Sequence, residues 1–178
     1  LSADYSLNKV SSLNAAYERE IFHREHRERD KTWEDKVKVG YVNRGLPDST
    51  LRVSYEYGDR RGAEYETAAY EEFVSAALVP MPTTAGANVA SWAVHMNNGI
   101  RKFDLADRQR QTLDARLNAM LRSDLDAGAA LQLRQTEYPD SDYGRAKQSQ
   151  GSVNLDLNYQ PSAERTISAA ISRARLRV

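Results

Sequence analysis

The chain has 178 residues, with 25 Lys and Arg against 25 Asp and Glu, so its formal charge is zero and no basic field recommends nucleic acid as a partner. It has no cysteine, which excludes disulfides, cysteine-based metal sites and a Cys-x-x-Cys-His haem attachment; any haem that matters is carried by another chain. Mean hydropathy is -0.71 and no apolar run approaches the ~18 residues of a membrane helix, but a transmembrane strand needs only about 9–11 residues, half of them polar, so a membrane barrel stays open.

The chain opens on Leu1-Ser2-Ala3-Asp4 with neither an initiator Met nor the stretches of a signal peptide, and is expected to be a piece of something longer. Period-two alternation then predicts eight strands, at about 1–7, 12–23, 33–42, 50–58, 110–120, 125–136, 150–159 and 166–176, in one unit spanning 1–178. Short connections fall at Asn8 to Ser11, Asn43 to Ser49, Leu121 to Asp124 and Gln160 to Arg165. Long ones fall at Arg24 to Thr32, Asp59 to Gln109 and Glu137 to Ser149, so every short turn lies at one end of the strands and every long loop at the other.

The stretch from Ala15 to Lys38 is rich in Glu, Arg and Lys and admits an amphipathic helix through Leu13, Tyr17 and Ile21; a long projecting hairpin is the favoured reading, with Val37, Val39 and Tyr41 alternating against Lys36, Lys38 and Gly40. In the fourth strand Leu51, Val53, Tyr55 and Tyr57 oppose Arg52, Ser54 and Glu56. The long connection of about 59–109 is expected to hold a short helix near 66–78, from Tyr70, Phe73, Val74 and Ala77, which packs the loop onto the rim, plugs the mouth or meets a surface partner.

Leu113, Ala115, Leu117 and Ala119 oppose Asp114, Arg116 and Asn118, and Leu125, Ala127, Ala129, Leu131 and Leu133 oppose Asp126, Gln132 and Arg134. The clearest strand puts Val153, Leu155, Leu157 and Tyr159 on one face and Ser152, Asn154, Asp156 and Asn158 on the other. In the last strand Ile167, Ala169 and Ile171 share a face with Arg173, Arg175 and Arg177. Either the strand leaves the membrane near Arg173 or a bulge switches its faces.

Such a two-faced sheet is covered by a second sheet in a soluble sandwich, whereas in a membrane barrel its apolar face meets lipid and its polar face lines a wet interior. The polar face is too charged for a dry core. Ten Tyr against three Phe and two Trp suit an interface where one end of the ring is dry and the other wet.

Chemistry of other kinds finds little footing. His23, His26 and His95 have no His-Glu-x-x-His spacing, so exposed polar hairpin is the default over a metal site; Glu137, Asp140 and Asp142 lack an EF-hand spacing and read as a solvated turn around Pro139. There is no Gly-rich phosphate loop and no nucleophile elbow, so catalysis is not expected.

The segment Arg101-Lys102-Phe103-Asp104-Leu105-Ala106-Asp107-Arg108-Gln109-Arg110, then Glu137-Tyr138-Pro139-Asp140-Ser141-Asp142-Tyr143-Gly144, then Asn154-Leu155-Asp156-Leu157-Asn158-Tyr159-Gln160-Pro161-Ser162-Ala163-Glu164-Arg165, in that order and spacing, resembles the MtrB/PioB family of decahaem-associated outer-membrane porins. Tyr17-Glu18-Arg19-Glu20 and Val53-Ser54-Tyr55-Glu56-Tyr57-Gly58-Asp59-Arg60 are similar too.

The resemblance implies an all-β, antiparallel up-and-down barrel of the bacterial outer membrane, of which these strands are a part. It implies a periplasmic multihaem cytochrome sheathed in the lumen, and a cell-surface multihaem cytochrome as a further partner, so that electrons cross the membrane through haems this chain does not carry. On that reading Arg52, Glu56, Asp114, Arg116, Asp126, Arg134, Asn154, Asp156 and Asn158 face the lumen as candidate cytochrome contacts, their charges also open to pairing as a ladder across strands. Leu51, Val53, Tyr55, Leu113, Leu117, Leu131, Val153, Leu155 and Leu157 face lipid. Eight strands are fewer than the family's barrel, and the chain ends on Val178 without a terminal aromatic, which again suits an internal portion. A general diffusion porin and a soluble all-β interaction module are the rival readings.

Overall fold

The computed structural model describes residues 1–25, 27–65, 102–141 and 145–177. They form one antiparallel sheet of eight strands, β1 (Ser2–Ser6), β2 (Ser11–His23), β3 (Lys31–Asn43), β4 (Ser49–Gly62), β5 (Arg108–Arg122), β6 (Leu125–Glu137), β7 (Lys147–Ser162) and β8 (Arg165–Arg177). Each strand pairs with the next in sequence, in the order β1 to β8. The sheet is not closed: β1 and β8 each leave one edge unpaired among the described residues.

All eight expected strands are present, most of them longer than the alternation alone indicated. Pairing continues beyond the apolar stretch, because backbone hydrogen bonds between neighbours do not require apolar side chains. β4 therefore runs on to Gly62 and β5 begins at Arg108, which shortens the long connection to 63–107. The helix expected near 66–78 lies outside the described residues. The helical option for Ala15 to Lys38 is wrong: β2 and β3 pair without interruption from Ser11↔Asn43 to His23↔Lys31. Cross-strand partners of opposite charge, such as Glu18 beside Lys36 and Arg19 beside Asp35, serve an antiparallel pair as well as they would a helix face. The face switch in β8 is also excluded, since its register with β7 is regular from Tyr159↔Ile167 to Ser149↔Arg177.

The short turns are set by local chemistry. Asn8 Oδ1 accepts the N–H groups of Val10 and Ser11 at 2.9 and 2.8 Å, closing the first turn. The β3–β4 turn needs a left-handed residue, supplied by Asp48 at φ 47°. In the β5–β6 turn Arg122 Nη2 lies 2.8 Å from Asp124, and this hydrogen bond holds the Asp124 carboxyl below its usual range. A depressed carboxyl supports the fold above its unfolded-state value and loses that support as pH falls through the lowered one. Pro161, placed in a turn by the sequence, sits inside β7 where the register shifts between Tyr159 and Ser162, a position that spares a proline a ladder hydrogen bond.

Apart from Ser11 at the turn end and Gly40 and Gly128 within the sheet, the buried residues lie toward the loop end. Leu105 and Ala106 have no exposed surface, and with Tyr138 they make up the buried large apolar and alanine side chains among the described residues. The segment 102–107 turns back on itself through bonds from Leu105 and Ala106 N–H to the Lys102 carbonyl, at 2.9 and 2.7 Å. Two arginines fasten it. Arg29 donates to the carbonyls of Ala63 (2.7 Å) and Leu105 (2.9 Å) and to Asp107 (2.6 Å), and Arg60 donates to the carbonyls of Ala106 (3.0 Å) and Phe103. Phe103 packs on Tyr138 with ring centroids 5.3 Å apart.

Arg29→Ala is expected to loosen this cluster by about 1–3 kcal/mol, because it leaves the buried Leu105 carbonyl without its donor while Asp107 keeps only Arg61 at 3.5 Å. Amide exchange measured on the folded full-length protein should rise at 102–107 while Leu125 to Leu133 stay protected; unchanged exchange at 102–107 contradicts the clamp.

Candidate functional site

Every hairpin preserves parity. From β1 to β8, apart from the two register shifts at turns, odd-numbered residues pair with odd and even with even, so all odd residues share one face of the sheet and all even residues the other. The nine residues assigned to lipid and the nine assigned to the lumen therefore fall on opposite faces, each set together.

On the odd face the apolar residues form a band that steps along the sheet. In β2 and β3 it covers Leu13 to Tyr17 and Val37 to Tyr41, bounded by Arg19 and Asp35; in β8 it covers Ile167 to Ile171, bounded by Arg173. Ala15, in the middle of the first stretch, shares a row with Val39, Tyr55, Leu113, Leu133, Gly151 and Arg175, six residues away from Ala169 in the middle of the last. A shift of six residues over six strand spacings, at roughly 3.3 Å per residue and 4.8 Å per strand, is a tilt of about 35°. Strands crossing a membrane in a barrel are inclined by about 35–45°. At that tilt the longest uninterrupted stretch, Leu125 to Leu133, stands roughly 22 Å tall, close to the ~25 Å of a lipid-facing band.

Tyrosines mark both borders of the band. On the loop side the Tyr17 hydroxyl donates to Asp35 and that of Tyr55 to Gln111 at 3.2 Å. On the turn side Tyr41 accepts from Asn43 at 2.8 Å, and Arg122 stands 5.7 Å from the Tyr159 ring. Each ring keeps its body in the band and its hydroxyl toward polar groups.

The even face differs with depth. Toward the loops it is paired: Arg108 Nη2 lies 2.7 Å from both oxygens of Glu34, Lys36 lies 2.8 Å from Glu20, and Arg110 stands 3.8 Å from both Glu34 and Glu56. Toward the turns the expected ladder does not form. Arg52 and Arg116 are direct register partners, like charges face to face, and neither makes an ion pair among the described residues, although Arg116 donates to Asn118 at 3.0 Å; Asp126 and Asp156 make no ion pair either, nor does Arg134, which lies on the loop side in the register row of Glu56. Asp114 accepts from Gln132 at 2.7 Å, and Asn158 accepts from Ser168 at 2.8 Å. A concavity of about 460 Å³ opens here, with Lys38, Arg52, Ser54, Asp114, Arg116 and Asn154 among its lining. Gly128 gives the Asp156 carboxylate room to lie along the wall, since a Cβ there would stand 2.4 Å from it.

The loop-end cluster was not foreseen as a unit. The segments that carried the family resemblance meet in it: 102–107 under Arg29 and Arg60, Tyr138 on Phe103, and Asp140 at 3.6 Å from Arg29. Of the residues considered for metal, Glu137 is engaged by Lys147 and Gln135, each at 2.8 Å, and His23 pairs with Lys31 at the end of its strand; Asp142, His26 and His95 lie outside the described residues. Among the described residues no three His, Cys, Asp or Glu side chains gather to hold a metal ion. Without cysteine, this chain does not fit a covalent haem of its own.

A family model described as "Putative outer membrane beta-barrel porin, MtrB/PioB" matches residues 1–177. No curated protein matches the chain.

The stepped band makes a test of depth. Spin labels on cysteines at Val39 and Ala169 of the full-length protein in lipid should show the same oxygen accessibility, although they lie in different register rows, whereas Val39 and its row-mate Arg175 should differ sharply. Equal depth for Val39 and Arg175 overturns the tilt.

Proposed function

The chain belongs to the MtrB/PioB family of outer-membrane β-barrel porins, and from that premise we propose that its sheet is a stretch of barrel wall that sheathes a multihaem cytochrome for electron transfer across the bacterial outer membrane. The odd face, through Leu51, Val53, Tyr55, Leu113, Leu117, Leu131, Val153, Leu155 and Leu157, meets lipid. The even face lines the lumen, where Arg52, Glu56, Asp114, Arg116, Asp126, Arg134, Asn154, Asp156 and Asn158 contact a periplasmic cytochrome. That partner carries the haem, and a cell-surface cytochrome extends the path outward. On this reading the chain itself binds no cofactor, and it catalyses nothing, the latter in keeping with the description of its family as a porin.

The observation that carries this reading is the turn-side half of the even face. Arg52 and Arg116 stand opposite each other there with no carboxylate partner among the described residues, Arg116 reaching only the neutral Asn118, so the wall is suited to water or to a polar surface pressed against it. The loop-side half pairs most of its charges through Glu34, Arg108, Arg110 and Lys36. A photo-crosslinking residue at Arg52 or Asn154 of the full-length protein should capture a haem-staining polypeptide, and one at Leu155 should capture lipid. Rapid solute flux through a protein that captures no haem protein identifies a diffusion porin instead.

The face assignment has an energetic test. Leu155→Arg should destabilise the folded full-length barrel by about 2–4 kcal/mol, the cost of a cation on the lipid face near the midplane, and Asn154→Arg far less. Denaturant titration and heat modifiability in lipid vesicles read the difference; equal tolerance removes the lipid from the odd face.

A further inference from the structure

The border of the apolar band is charge-matched in most places. Arg19 stands 3.7 Å from Asp35, Arg61 3.1 Å from Asp59, and Lys147 2.8 Å from Glu137. β8 is different. Arg173, Arg175 and Arg177 project in sequence from the odd face directly above Ile171, are exposed, and make no ion pair with β7, the one strand that pairs with β8 among the described residues. Their register partners on β7 are Val153, Gly151 and Ser149, none of them acidic. Because Gly151 has no side chain, a hollow of about 400 Å³ opens beside Arg175 and Arg177; Gln111, Gln135 and Ser149 also line it, and it has no carboxylate in its wall.

We propose that this stripe and its hollow hold the phosphate groups of lipid in the outer leaflet. The arginines sit where the band ends on the long-loop side, which in outer-membrane barrels is the extracellular side. At that level headgroup phosphates lie against the wall, and each arginine rests its aliphatic stem on apolar surface while its guanidinium reaches them. Guanidinium forks bond phosphate oxygens in pairs, and the amides and hydroxyl of the hollow add neutral donors. This also accounts for three arginines following three apolar residues on one face without a bulge. The site rests on the odd face meeting lipid, but not on any cytochrome.

The test uses the full-length protein in phosphatidylcholine nanodiscs with and without lipid A, with bound lipid A quantified by mass spectrometry after detergent extraction. The wild type should retain lipid A. The triple variant Arg173→Gln, Arg175→Gln, Arg177→Gln, its folding checked by heat modifiability, should bind it roughly a hundredfold more weakly, from about 1 kcal/mol for each basic residue near an anionic surface. The triple lysine variant should keep most of the binding, and lipid A stripped of phosphate should not be retained. Equal retention by wild type and the glutamine variant, or equal retention of the dephosphorylated lipid, overturns the site. Quenching of a tryptophan at Ile171→Trp by brominated phosphatidylcholine separates the two readings. Quenching without phosphate-dependent retention sinks the lipid-phosphate site alone, whereas absence of quenching sinks the lipid-facing assignment with it.

Discussion

Inside a bilayer a backbone N–H or C=O has no water to bond, and the whole structure depends on satisfying those groups from strand to strand. The chain does this in the plainest topology available, each strand pairing with the one before and after it. The ladder stops only at β1 and β8, whose open edges are where further strands would have to pair in the membrane. Alternation is what allows a wall of such low mean hydropathy to reside in lipid, because only every second side chain has to be apolar.

Once the ladder is set, the two faces are free to specialise. On the proposed reading the odd face answers to the membrane, and its band steps across the register rows because a layer of fixed thickness cuts inclined strands at successively different residues. A core covered by a second sheet would impose no such step. On the same reading the even face answers to the interior. Its loop-side third satisfies its own charges through Glu34, Arg108, Arg110 and Lys36, and above it Arg29 and Arg60 hold 102–107 over the wall. Its turn-side part leaves Arg52 and Arg116 opposed, which is where a complementary surface gains most.

Much of this was legible in the residues. Alternation in Val153 to Tyr159, in Leu51 to Tyr57 and in Leu113 to Ala119 placed each side chain on its correct face, and the contrast of short turns with long loops oriented the strands. The loop-end cluster was not legible. Arg29, Arg60, Leu105 and Tyr138 are far apart in sequence and follow no period, so nothing local announces that one arginine will bridge both ends of the connection 63–107. The charged stretch around Arg19 and Asp35 was ambiguous for a related reason: opposite charges at close spacing suit a helix face and a cross-strand pair alike, and only the partner strand decides.

What the sequence determined by itself is therefore the two-faced character of the wall, since the period of two is a property of each strand alone. The tertiary structure decided which residues share a level. Arg175 lies in the same register row as Val39, yet the tilt places it beyond the band that contains Val39, and no pattern within β8 distinguishes a strand leaving the membrane from one that switches faces. Depth is set by register and inclination, which belong to neighbouring strands together, and so it appears only when they are paired.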